Sequence, residues 1–126
     1  MEALKVLLVD DEEEFITTLV ERLEFRGIAA RGFTTGREAL ACLREERFDV
    51  VVADLKMPGI DGLEIKRTVE REFPATKVLL VTGHGGRESG EEDADLDVLM
   101  KPFGIDALLR WIAGATGSAR EVTRGQ

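Results

Sequence analysis

The sequence predicts an α/β fold, a parallel sheet with helices on both faces. Three observations carry this. Short apolar runs (Leu4–Val9, Val50–Ala53, Val78–Val81) alternate with stretches whose apolar residues recur at helical spacing. The run Val50-Val51-Val52-Ala53 has no polar position, as a strand buried on both faces requires. There is no internal repeat or low-complexity block, and the alternation implies right-handed crossovers between parallel strands.

Taken in order, Leu4 to Val9 reads as the first strand, interrupted only by Lys5 and followed at once by Asp10 and Asp11. Phe15, Ile16, Leu19, Val20 and Leu23 mark a first helix that Gly27 is placed to end, with Asp11 and Glu14 at capping-box spacing. Ile28 to Phe33 is a weaker second strand. Thr35 with Glu38 opens a second helix running to about Glu46. The third strand ends in Asp54. Two turn signals follow, Pro58-Gly59 and Asp61-Gly62, and Asp61 with Glu64 caps a third helix that stops before Pro74. Lys77 to Thr82 is the fourth strand and Val98 to Met100 a short fifth. A last amphipathic helix uses Ile105, Leu108, Leu109 and Ile112, with Trp111 expected to be buried on its stripe; an exposed Trp111 would instead mark a surface for docking or homodimerisation. The domain is expected over residues 1–116, with 117–126 a flexible tail or the start of a linker.

One segment breaks the rhythm. Gly83 to Asp97 reads GHGGRESGEEDADLD, with four glycines, six acids and only Ala94 and Leu96 to bury. A fourth helix there is expected to be short, distorted or mobile.

The 126 residues make one domain with a single core. A net charge of −8 opposes direct binding to nucleic acid or to anionic membranes, and suits a basic partner surface or a metal cation among carboxylates. The single Cys42 excludes an internal disulfide and reads as a small semi-buried helical residue. No apolar run approaches the roughly 20 residues of a membrane span, and the start of the chain lacks the form of a signal peptide, so the cytoplasm is the expected compartment.

Chemistry concentrates at the strand ends. In a doubly wound five-stranded sheet, strands one and three are neighbours, and their ends bear Asp10, Asp11 and Asp54. Three crowded carboxylates repel one another unless a cation sits among them, and a hard, oxygen-ligated ion such as Mg²⁺ fits. Strand four ends with the hydroxyl of Thr82 and strand five with the ammonium of Lys101. Each residue alone has a plainer reading: Asp11 a helix cap, Asp54 a turn residue, Thr82 a loop entry, Lys101 a surface lysine. Together they form an anion-handling site with a nucleophile in it.

These motifs — Asp10-Asp11, Asp54 with Met57-Pro58-Gly59 and Asp61-Gly62, Val81-Thr82-Gly83, and Lys101-Pro102-Phe103 — resemble the receiver domain of two-component response regulators, over about Leu4 to Ala115. The resemblance implies a flavodoxin-like sheet of order 2-1-3-4-5. It implies Asp54 as acceptor of a phosphoryl group from a sensor histidine kinase or a phosphotransfer protein. It implies Mg²⁺ held by Asp11, Asp54 and the Lys56 carbonyl, with Asp10 helping through water. Thr82 and Lys101 would bind the phosphoryl group, and the Lys101-Pro102 bond would be cis. Lys56 and His84, two residues beyond Asp54 and Thr82, would tune the lifetime of the phosphorylated state; His84 alone reads equally as an exposed loop residue.

The chain also departs from that family. The switch position three residues before the lysine, usually aromatic, is Val98. The Thr82-to-Lys101 interval is shorter than usual by roughly one helical turn. Other readings stay open. A receiver-like interaction module that no longer cycles phosphate would explain the reshaped segment after Gly83. An aspartate-nucleophile phosphohydrolase would want an acid where Lys56 stands. A flavin site would want a phosphate-cradling loop where the chain is acidic.

Overall fold

A computed structural model describes residues 4–83 and 97–117. Among these described residues are five strands, β1 (Lys5–Val9), β2 (Ala29–Phe33), β3 (Val50–Asp54), β4 (Lys77–Thr82) and β5 (Val98–Met100), and four helices, α1 (Glu13–Phe25), α2 (Gly36–Glu45), α3 (Gly62–Glu72) and α4 (Ile105–Thr116). All strand pairs are parallel, in the order β2-β1-β3-β4-β5. The doubly wound sheet expected from the sequence is therefore the fold. The expected helix between β4 and β5, and the tail beyond Gly117, lie outside the described residues.

The period of two along each central strand divides the interior into two cores, one on each face of the sheet, rather than the single core expected from the sequence. Val6, Leu8, Val50, Val52, Leu79 and Val81 face α1 and α4, where Leu19, Leu23, Leu108 and Ile112 meet them. Leu7, Val9, Val51, Ala53 and Leu80 face α2 and α3, against Leu40, Leu43, Ile65 and Val69. β3 is buried at all five positions, which is why its sequence shows no alternation. Cys42 is buried in the second core, where burial pushes its thiol up. Trp111 is half-buried against the first core, not fully enclosed as its stripe predicted, because it sits at the margin of the α4 face.

The helix starts follow their caps, with one difference. Glu38 N–H donates to Thr35 Oγ1 (3.2 Å), and Glu64 N–H to Asp61 Oδ1 (3.0 Å), as their spacing predicts. The expected Asp11–Glu14 box does not form. The N-cap of α1 is Glu12, without a side-chain cap, and its N–H donates to Asp10 Oδ1 at 2.9 Å. The helix begins one residue later than the box requires, which leaves the Asp11 carboxylate with the strand-end cluster. Gly27, at φ +82°, takes the left-handed turn that stops α1.

Candidate functional site

Parallel register brings the strand ends together. Val9 pairs with Ala53 and Asp54 with Val81, so Asp10, Asp54 and Thr82 emerge side by side at the carboxyl edge of the sheet. Lys101 follows β5, and its N–H donates to the Thr82 carbonyl at 2.7 Å, which fixes the lysine over the same edge. The Lys101-Pro102 peptide bond is cis, as the family resemblance implies. α3 starts immediately above β3. A Cβ on Gly62 would lie 2.5 Å from the Asp54 carbonyl oxygen, so only glycine permits this approach.

Asp10 and Asp54 are buried, at 1% and 8% exposure, and Asp11 is exposed. One oxygen from each lies within 4.8 Å of the others. Burial first, then the neighbouring charge of Asp10, pushes the Asp54 carboxyl from an ordinary 3.8 up to about 6, despite help to the anion from the Lys56 N–H (3.2 Å to Asp54 Oδ1) and Lys101. That repulsion is the observation that fits a divalent cation: three hard oxygen donors, two of them dry, without enough positive charge among them.

Lys101 is a cation paired with the cluster. Its Nζ lies 2.7 Å from Asp10 Oδ2, 2.8 Å from Glu12 Oε1 and 3.9 Å from Asp54 Oδ2. Its burial pulls the ammonium pKa down, but the bonds to Asp10 and Glu12 outweigh this and raise it. Glu12, bonded to the same ammonium, is held below the usual carboxylate range. Lys101 Nζ also stands 4.4 Å from the centroid of the Phe15 ring, which meets Phe103 edge-on at 5.8 Å. A cleft of about 580 Å³ opens here, lined by Asp11, Glu12, Asp54, Lys56, Thr82 and Lys101.

Six residues singled out in the sequence thus meet: Asp10, Asp11, Asp54, Lys56, Thr82 and Lys101. Val98 does not line the cleft; it is half-buried at the start of β5, paired with Leu80 and packed against the α2–α3 core. His84 lies outside the described residues. Glu12 and Phe15 were not singled out as site residues. The only signal for Glu12 was its place in an acidic run, and for Phe15 its place on an apolar helical stripe.

The chain matches the family model described as "Response regulator receiver domain" over residues 6–113. It is 33% identical over 108 residues to the C4-dicarboxylate transport transcriptional regulatory protein DctD of Rhizobium meliloti, covering 83% of this chain and 24% of that protein. It is 30% identical over 119 residues to the DNA-binding transcriptional regulator NtrC of Salmonella typhimurium, covering 92% of this chain and 25% of the relative. The chain therefore spans about a quarter of the length of these relatives. Among solved structures it is similar to a CheY-like receiver domain protein from Methanospirillum hungatei (27% identity, TM-score 0.83, covering 95% of this chain and 98% of that one). It is also similar to the chemotaxis response regulator CheY4 of Vibrio cholerae (29% identity, TM-score 0.80, covering 90% and 99%). With this match over most of its length, and with the acidic strand-end cleft that its fold builds, the chain belongs to the response regulator receiver domain family.

Proposed function

We propose that this receiver domain is a phosphorylation switch in a two-component phosphorelay, with Asp54 as its phosphoacceptor. The observation that carries the reading is the geometry at Asp54: a buried carboxylate at a strand end, facing an open cleft with Lys101 beside it. A donor phosphohistidine, on a sensor histidine kinase or a phosphotransfer protein, presents its phosphorus in line with an Asp54 carboxylate oxygen. The new O–P bond forms as the P–N bond breaks, and the electron pair stays on the imidazole nitrogen. Phosphoryl transfer of this kind depends on positioning and charge neutralisation more than on covalent help.

Asp11, Asp54 and the Lys56 carbonyl would hold Mg²⁺, with Asp10 assisting through water. Bound there, the ion supplies neutralising charge for the phosphoryl oxygens. Lys101 would pair with those oxygens and Thr82 would offer a hydroxyl. The domain regulates rather than turns over a substrate, although its residues assist gain and loss of its own phosphoryl group. In this reading the unit is residues 1–116 and the setting is the cytoplasm, and Lys56 and His84 govern the lifetime of the modified state.

The test is incubation with Mg²⁺ and a small phosphodonor or beryllofluoride. Wild type is expected to form an adduct and Asp54→Ala none, and the half-life of the phosphorylated state is expected to change in Lys56→Ala and His84→Ala. Absence of an adduct on wild type overturns the phosphoacceptor role; unchanged half-lives in both variants overturn the lifetime role alone.

A further inference from the structure

We infer that Glu12 is a positioning residue that tethers Lys101 short of Asp54 until a phosphoryl group arrives. This rests on the phosphoacceptor reading of Asp54 and deepens it. An ammonium has three N–H donors. In the structure one is hydrogen-bonded to Glu12 Oε1 (2.8 Å), the nitrogen is ion-paired with Asp10 Oδ2 at 2.7 Å, and Asp54 Oδ2, at 3.9 Å, is beyond hydrogen-bond reach. The lysine is thus hydrogen-bonded to Glu12 and closely paired with Asp10, while its pairing with the acceptor is the long one.

The two tethers differ in kind. Asp10 is 1% exposed, its other oxygen accepts the Glu12 N–H, and it belongs to the carboxylate cluster. It stays in place whatever binds. Glu12 is 64% exposed at its side chain, stands at the mouth of the cleft and is not part of that cluster. Its carboxylate swings into water at little cost, so its hold on Lys101 is the releasable one. It also adds a negative charge where an anionic donor must enter. Three equatorial oxygens on Asp54 would compete for the donor that Glu12 occupies, with Lys101 pivoting over the Phe15 ring, 4.4 Å from its nitrogen. Glu12 therefore weakens the site's grip on phosphoryl-like anions in the resting state.

Glu12→Gln removes the tethering charge and keeps the shape. The half-saturating concentration of beryllofluoride, followed by ¹⁹F NMR at saturating Mg²⁺, is expected to fall roughly two- to fivefold, the range of a partly exposed ion pair. In a crystal structure of the metal-free variant, Lys101 Nζ is expected within hydrogen-bond distance of Asp54 Oδ2. Glu13→Gln makes the same charge change one residue along, and none of the ion pairs to Lys101 involves Glu13; its half-saturation is expected to match wild type. A merely structural role for Glu12 would weaken beryllofluoride binding instead. Equal affinities in Glu12→Gln and wild type, or an equal gain in Glu13→Gln, overturn the tether and leave the phosphoacceptor reading standing. Failure of wild type to bind beryllofluoride overturns both.

Discussion

Asp54 ionises in the folded chain against its own surroundings, and the direction of that opposition fixes a pH dependence. In the unfolded chain its carboxyl loses its proton near the ordinary value of 3.8; in the metal-free fold it does so at about 6. Between the two, the unfolded state has released a proton that the native state still holds. Stability therefore falls as pH rises from about 4 to 6, and the penalty is constant above that. Two pKa units are worth up to about 3 kcal/mol. With metal chelated, Asp54→Asn is expected to be more stable than wild type at pH 7 in urea denaturation, with the difference closing toward pH 4. A difference of the same size at both pH values would show that Asp54 is not the group responsible. At this scale the sequence was informative wherever a residue ends a strand: Asp10, Asp54, Thr82 and Lys101 are fixed by register, and register follows from the apolar runs. Glu12 was not legible as a partner of Lys101, because the two are 89 positions apart and meet only once β5 is laid beside β4.

Among the elements, α3 shows most plainly how a helix start serves the site. Asp61 caps it through the Glu64 N–H, and the absent side chain at Gly62 lets the first turn rest on the Asp54 carbonyl. A methyl group there would meet backbone, which cannot swing aside. Gly62→Ala is expected to cost about 1–3 kcal/mol by overpacking and to lower Tm by several degrees, with weaker beryllofluoride binding because the end of β3 must shift. Unchanged Tm and binding would mean that the first turn relocates freely. The caps of α2 and α3 were readable from spacing alone. The start of α1 was not: two uses competed for the same acids, since the turn after β1 draws the Glu12 N–H onto Asp10 and moves the helix on by a residue. β2 was the weakest strand to read, since its Arg31 and Gly32 are exposed at the sheet edge, where a strand needs little apolar sequence.

For the molecule as a whole, two apolar cores separated by the sheet hold an acidic edge together. The net charge of −8 makes that edge a place of self-repulsion. Saturating Mg²⁺ is expected to raise Tm, with a linkage contribution of about 2.7 kcal/mol at a hundred times its dissociation constant. NaCl of matched ionic strength should give a smaller gain, and Asp54→Ala should lose most of the Mg²⁺ effect. An equal gain from NaCl would assign the stabilisation to screening. The packing around Lys101 carries a further consequence. Its nitrogen lies over Phe15, its stem passes close to Gly83, and its head is ion-paired with two acids. A free lysine side chain holds about 2 kcal/mol of rotamer entropy that binding an anion would normally have to suppress. Here folding has already restrained it, so a phosphoryl group arriving as proposed above would find a cation whose disorder was removed before the encounter, with only a short pivot remaining.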